Sequence, residues 1–126
     1  MLDPAGFVPG RHLLDAYGAG GFRFADMSHR GSILALPSGV YAWAAAAPGE
    51  ITTSSLAQLF KETRGLIDLL LVGTGADLVR VPALLRLRLA DFGVKCEAMQ
   101  TGSAARTYNV LLGENRRVAA ALLAVD

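Results

Sequence analysis

The stretch "LIDLLLVGTGADLVRVPALLRLRLADFG", Leu66 to Gly93, constrains the fold more than any other part of the chain. Its opening, "LIDLLLVGTG", is apolar on both faces, as a strand must be when helices or other layers cover it on both sides. Glycine then ends the run at Gly73 and Gly75. "PALLRLRLADFG" reads as a helix with Pro82 in its first turn, where no amide donor is needed, and Gly93 beyond its end. Val94 to Met99 is the following strand.

A second helix is expected in "TGSAARTYNVLLGENR", with Thr101 or Ser103 as its cap. Helical spacing puts Ala104, Tyr108, Leu111 and Leu112 on one face, and Arg106, Asn109 and Val110 face away. The final segment, "RVAAALLAVD", fits a helix by its Ala and Leu content and a buried strand by its short apolar run. After a β-α-β-α alternation and the turn-like "GEN", a strand closing the sheet is the consistent choice.

The first half has a different period. Phe22 and Phe24 alternate with Arg23, and a polar turn around Ser28 to Gly31 leads to Ser32 to Leu36, which together read as an antiparallel hairpin. Pro37 to Gly39 makes another turn. Val40 to Ala44 would be a third strand, with Tyr41 and Trp43 on one face. In "ITTSSLAQLFKETRG" the period lengthens: Leu56, Leu59, Phe60 and Thr63 fall on one side of an expected amphipathic helix, capped by Thr52 or Thr53 and ended by Gly65.

These patterns predict an α/β chain: one three-layer domain over residues 1–126, with a central mixed sheet flanked by helices and an N-terminal antiparallel hairpin. Residues 1–16 read as a partly irregular extension. At 126 residues, with 52% hydrophobic and 18% charged, the chain can bury a sizeable core. No window approaches the roughly 18 apolar residues of a membrane span. "MLDPAGFVPGR" resembles neither a secretory signal nor a transit peptide, so a cytoplasmic prokaryotic protein is expected. Twelve basic residues against 11 acidic ones, scattered along the chain, give no track for a nucleic-acid backbone. The single cysteine excludes an internal disulfide and any cysteine-cluster metal site.

Candidate chemistry is sparse. Gly73, Thr74 and Gly75 follow a buried strand, and amides in such a turn can cradle an anion. The turn completes neither the Walker nor the dinucleotide fingerprint, which leaves a sharp corner as the simpler reading. Were it a pocket, Gly73, Thr74 and Gly75 would line it together with Thr101 and Arg106, where strand ends and helix N-termini converge. In "ARTYN", Tyr108 and Arg106 resemble a proton donor and an anion clamp, but consecutive helical residues diverge, and Tyr108 reads better as a core aromatic. His12 and His29 have no companion at ligand spacing, so no metal or other cofactor is expected. Cys96 shares a strand face with Val94 and Ala98 and reads as a small buried hydrophobe. No Ser-His-Asp order or close carboxylate pair is present. Arg86 and Arg88 stand about 160° apart around their helix and flank it. Leu84, Leu85, Leu87 and Leu89 cover more than one of its sides, which points to a second packing partner, a further copy of the chain being one option.

The landmarks "YGAGGFRF", "GSILALPSGVYAW", "DLLLVGTG", "GVKCEAMQT" and "AARTYNVLLGENRRVAAALLA" occur in an order and spacing that resembles the small domain family typified by mitochondrial NADH:ubiquinone oxidoreductase complex assembly factor 3. The match runs from Tyr17 to Val125. Its most specific elements are the Gly73-Thr74-Gly75 turn and Thr107-Tyr108-Asn109 followed by Glu114 and Arg116. The resemblance implies a three-layer α/β domain whose last segment is a strand. It also implies assembly of a membrane-associated complex through protein contacts, respiratory complex I in mitochondrial members, without catalytic residues. Where the family usually has Glu-Gly-Arg, this chain has Glu114-Asn115-Arg116, and Asn tolerates the positive φ such a turn needs. The expected function is therefore a non-catalytic protein-binding factor, cytoplasmic or peripheral at the inner face of a membrane and not integral to it. A small-molecule-binding or enzymatic domain with its pocket at the glycine turn is the alternative.

Overall fold

The computed structural model describes residues 7–126. The strands are β1 (Phe7–Pro9), β2 (Ala16–Gly18), β3 (Gly21–Phe24), β4 (Met27–Arg30), β5 (Ser32–Leu36), β6 (Gly39–Trp43), β7 (Leu69–Gly73), β8 (Lys95–Met99) and β9 (Val118–Leu122). The helices are α1 (Ala83–Asp91) and α2 (Thr101–Gly113). Six strands form one sheet in the order β1-β6-β5-β9-β7-β8, and β2-β3-β4 form a smaller antiparallel sheet. β7 runs parallel to β8 and β9, while β9 is antiparallel to β5, so the large sheet is mixed, as expected.

Both faces of the large sheet are covered, which accounts for the unbroken hydrophobicity of β7. Leu70 and Val72 point into a layer with Trp43, Leu56, Leu85 and Leu89; Leu71 points to the other side, among Phe22, Phe24 and Tyr108. Leu70 and Leu71 are both fully buried, each burial being worth about 1.5–3 kcal/mol. A one-residue slip of β7 would still bury apolar groups, so its register is set by neighbours such as the Lys95 N–H bonded to Asp68 O at 2.9 Å. The ambiguous last segment is the strand β9, buried at every position.

The hairpin reading is corrected in its pairing. β3 pairs with β4, through a tight turn at Ala25 and Asp26 with φ of 51° and 60°, and Ser32–Leu36 crosses into the large sheet. Two consecutive positive φ values make this the mirror-image turn that suits the twist of a two-residue hairpin, and neither residue is the glycine that advertises such a turn. The extension expected to be partly irregular holds β1, which pairs with β6; its residues 1–6 lie outside the described residues.

The helix expected over residues 52–65 does not form. Thr52 and Ser55 exchange hydrogen bonds, Thr52 N–H to Ser55 Oγ at 3.0 Å and Ser55 N–H to Thr52 Oγ1 at 3.1 Å, giving the backbone a local alternative to a helix. The following bonds run mainly at three-residue spacing, as from Leu59 N–H to Leu56 O, and end in a 3₁₀ turn at Leu59–Lys61. Trp43 anchors the segment by donating Nε1–H to Ser55 O at 2.8 Å. Leu56 and Leu59 are buried all the same, because side chains three apart align in 3₁₀ geometry.

The cap of α2 also differs. Gln100 is the N-cap and its side chain makes no capping bond, and Thr101 is the first helical residue, its hydroxyl used elsewhere. Asn115 has the anticipated positive φ, 61°.

Candidate functional site

The ends of β7, β8 and β9 meet the start of α2 at two buried threonines. Thr101 Oγ1 accepts the Gly75 N–H at 3.0 Å and donates to Leu123 O at 2.7 Å, while its own N–H reaches Gly75 O at 2.9 Å. Thr74 N–H donates to Met99 O at 2.8 Å; its hydroxyl donates to Asp77 O at 2.7 Å and accepts the Val79 N–H at 3.0 Å. The amides of Thr74 and Gly75 are thus bonded within the protein. Gly73 is glycine for a packing reason: a Cβ there would lie 2.8 Å from Leu122 Cδ2 and 3.0 Å from the Thr101 Cα. Gly75 is glycine for a conformational one, at φ +101° with open space around it.

Arg106 is not part of that junction. It lies on a stripe of α2 with Gly102 and Asn109, at the i, i+4, i+7 spacing of one helical face. Arg106 Nη1 donates to the Tyr17 hydroxyl at 3.3 Å. Asn109 accepts the Leu14 N–H and donates to Leu14 O, each at 2.7 Å. A Cβ on Gly102 would meet the Tyr17 hydroxyl at 2.3 Å, so the tyrosine rests directly on the first turn of the helix. Asn109, expected to face away from the core, instead holds the chain leading into β2. Gly102 in a helix's first turn, with polar residues four and seven positions on, was the available signal; the partner segment, some 90 residues earlier, left none.

Between these parts runs an open groove of about 560 Å³ at the carboxyl ends of the parallel strands. Thr74 and Gly75 form one wall, Tyr17 and Gly102 another, and Asp77 and Asp126 supply carboxylates. No basic side chain lines it among the described residues, so the groove is acidic in character. Of the five residues singled out from sequence, Thr74 and Gly75 reach the groove, Gly73 and Thr101 are packed behind it, and Arg106 borders a separate hollow beyond Tyr17, with Asp15 and Asn109. Tyr17, Asp77, Gly102 and Asp126 had not been singled out.

On the opposite side of the large sheet, α1 buries Leu85 and Leu89 and leaves Leu84 81% and Leu87 62% exposed; Leu78, in the loop before the helix, is 67% exposed. Its arginines flank the helix as expected, with defined contacts: Arg88 lies 4.4 Å over the Phe60 ring, and Arg86 Nη1 donates to Cys96 O at 3.1 Å. Cys96 is 8% exposed, and burial raises its thiol pKa despite the nearby Arg86, which keeps it a protonated core residue. Tyr108, 1% exposed, is pushed up to about 12 by burial, with Arg11 acting in the opposite sense. Neither group is poised as a base near neutral pH. Among the described residues no group of His, Cys, Asp and Glu could hold a metal ion, and no helix is long and apolar enough to cross a membrane.

Residues 14–123 match the model of a family described as a protein of unknown function (DUF498/DUF598). The chain belongs to this family. An uncharacterised family relative from Rhodobacter capsulatus is 44% identical over 119 residues, covering 94% of this chain and 86% of its own. The zebrafish (Danio rerio) protein named NADH dehydrogenase (ubiquinone) 1 alpha subcomplex assembly factor 3 is 32% identical over 111 residues, covering 88% of this chain and 63% of its own. A crystal structure described as an outer membrane protein from Bartonella henselae superposes with a TM-score of 0.89 at 49% identity, covering 94% of this chain and 98% of that one. The resemblance drawn from sequence landmarks and the α/β fold both hold.

Proposed function

We propose that this chain is a non-catalytic protein-binding factor that assists assembly of a membrane-associated complex. The observation that carries the reading is the uncovered leucine face of Leu84 and Leu87, with Leu78 exposed in the loop that leads to their helix. Leu84 and Leu87 lie on a short helix whose other leucines already serve the core, and apolar clusters left in water commonly mark a docking site. The relatives named as assembly factors agree with this reading, although the chain spans only 63% of the zebrafish protein. A client protein would cover the leucines while Arg80 and the flanking arginines of α1 form a polar rim.

The test is affinity capture from solubilised membranes of the native organism, with Leu84→Ser/Leu87→Ser as comparison. Subunits of one membrane-associated assembly are expected with the wild type and at least tenfold less with the variant. Equal recovery by both proteins contradicts the reading.

A second reading is favoured by the groove at the ends of β7 and β8, the position where open α/β sheets hold ligands. Its carboxylates Asp77 and Asp126 suit a cationic or neutral small molecule better than a phosphate. A ligand at 100 times its dissociation constant stabilises a fold by about 2.7 kcal/mol, so thermal shift against amines, sugars and nucleotides tests it; no shift with any of them removes this reading.

A further inference from the structure

The large sheet ends in two different ways. At one edge β1 is three residues long and closes with Pro9, which has no amide to donate. At the other, β8 is five residues, "KCEAM", with neither proline nor glycine. Lys95 N–H donates to Asp68 O, and Met99 O accepts the Thr74 N–H, so Lys95, Glu97 and Met99 spend their backbone groups on β7. By the alternation of a parallel ladder, Cys96 and Ala98 turn theirs outward. Beside them runs a groove of about 560 Å³ lined by Arg86 and Ala90 of α1, Gly93 and Val94 of the α1–β8 connection, and Lys95 and Glu97 of the strand.

The side chains of this edge have a symmetry of their own. Lys95 and Glu97 are exposed on one face, on either side of the inward-facing Cys96. Read backwards, Lys-Cys-Glu becomes Glu-Cys-Lys. An antiparallel copy of β8 centred on Cys96 therefore places each Lys95 opposite Glu97 of the second copy, twice over. The same register sets the two Cys96 residues opposite each other, each carbonyl accepting the other copy's N–H on the lone pair that its own Arg86 leaves open, and brings each Ala98 N–H to Val94 O of the other copy. Centring the pair on Glu97 would instead set two carboxylates face to face, a destabilising arrangement. The two Arg86 guanidiniums are the opposing charges at this seam, and each is already engaged by the carbonyl of its own Cys96.

We propose that the β8 edge is an interface for a second copy of this chain, joining two six-stranded sheets into one continuous sheet in the Cys96-centred antiparallel register. The contact engages the Arg86 flank of α1, about 160° around the helix from Arg88, and its test reads self-association of the purified chain, separately from capture of a client.

Sedimentation across micromolar to millimolar concentrations tests this, using wild type, Glu97→Lys, Lys95→Glu and the double exchange Lys95→Glu/Glu97→Lys. Both positions are exposed, and thermal melts check each fold. Wild type is expected to dimerise with concentration. Each single variant turns two attractive pairs into two repulsive ones and should weaken the dimer roughly 30-fold; the double exchange should restore it to within a few-fold. Amide exchange at Cys96 and Ala98 should slow as the dimer forms. A wild type that stays monomeric throughout, or a dimer indifferent to the charge exchanges, overturns the proposal.

Discussion

The Asn109 carboxamide closes a ring of two hydrogen bonds, each 2.7 Å, with the N–H and the carbonyl of Leu14. A side chain of α2 thereby pairs with a backbone segment as a neighbouring strand would. Asn109→Ala leaves both Leu14 groups without protein partners at a part-buried position, and should cost about 1–3 kcal/mol in denaturant unfolding. It should also speed amide exchange at Leu14 without affecting β7. A change under a few tenths of a kcal/mol would mean that water replaces the carboxamide at no cost.

At the strand-end junction, Thr101→Val removes the hydroxyl that serves both Gly75 N–H and Leu123 O in a fully buried site. The expected loss is about 1–3 kcal/mol for each group left unpaired, with Thr101→Ser recovering most of it. Gly73→Ala should also destabilise, because its Cβ would press on the Thr101 backbone and the Leu122 side chain. Equilibrium unfolding of the three variants checks this, and a neutral Thr101→Val would contradict the role given to the hydroxyl.

Tyr108 makes stability depend on alkaline pH. Its folded pKa, about 12, lies above the ordinary tyrosine value of 10.0, because burial disfavours the phenolate. The unfolded chain therefore loses this proton first as pH rises. Stability from this group is intact below pH 10 and falls between about 10 and 12, by up to about 3 kcal/mol. Tyr108→Phe should flatten that part of the profile. Melting curves from pH 9 to 12 decide, and an identical decline in the variant assigns the loss to other groups.

His29 acts at the other end of the scale. Burial lowers its pKa, against a raising hydrogen bond with the Ser32 backbone. The unfolded state then binds the proton more readily, so this contribution is present above the ordinary histidine value of 6.5 and is lost as pH falls through it. His29→Gln should remove a small acid-side decline, read from melting curves carried from about pH 7.5 down to about pH 4.5; an unchanged decline in the variant assigns it to other groups.

What the sequence made legible follows from how local each signal is. β7, α1 and α2 declare themselves within a dozen residues, through apolar runs, Pro82 and Gly93. The hairpin turn at Ala25 and Asp26 carries no glycine, so its two positive φ values left no mark, and the strand pairing was assigned one element too late. Residues 52–65 show apolar spacing that helices and 3₁₀ turns share, and the hydroxyls of Thr52 and Ser55 tipped the balance. The site was half legible. Thr74 and Gly75 adjoin the buried strand that announces them. Tyr17 reaches the groove only because Asn109, Arg106 and Gly102 dock its segment across the fold, a pairing that no local pattern records.

The leucine surface of α1 can be read in place. A photo-crosslinking residue at position 87 in cells, with position 114 at the far end of α2 as control, reports what covers that surface. Adducts from position 87, and not from 114, with a subunit of a membrane-associated assembly are the expected result. No adduct at 87, or equal adducts at both positions, would contradict a protein-binding role for this helix.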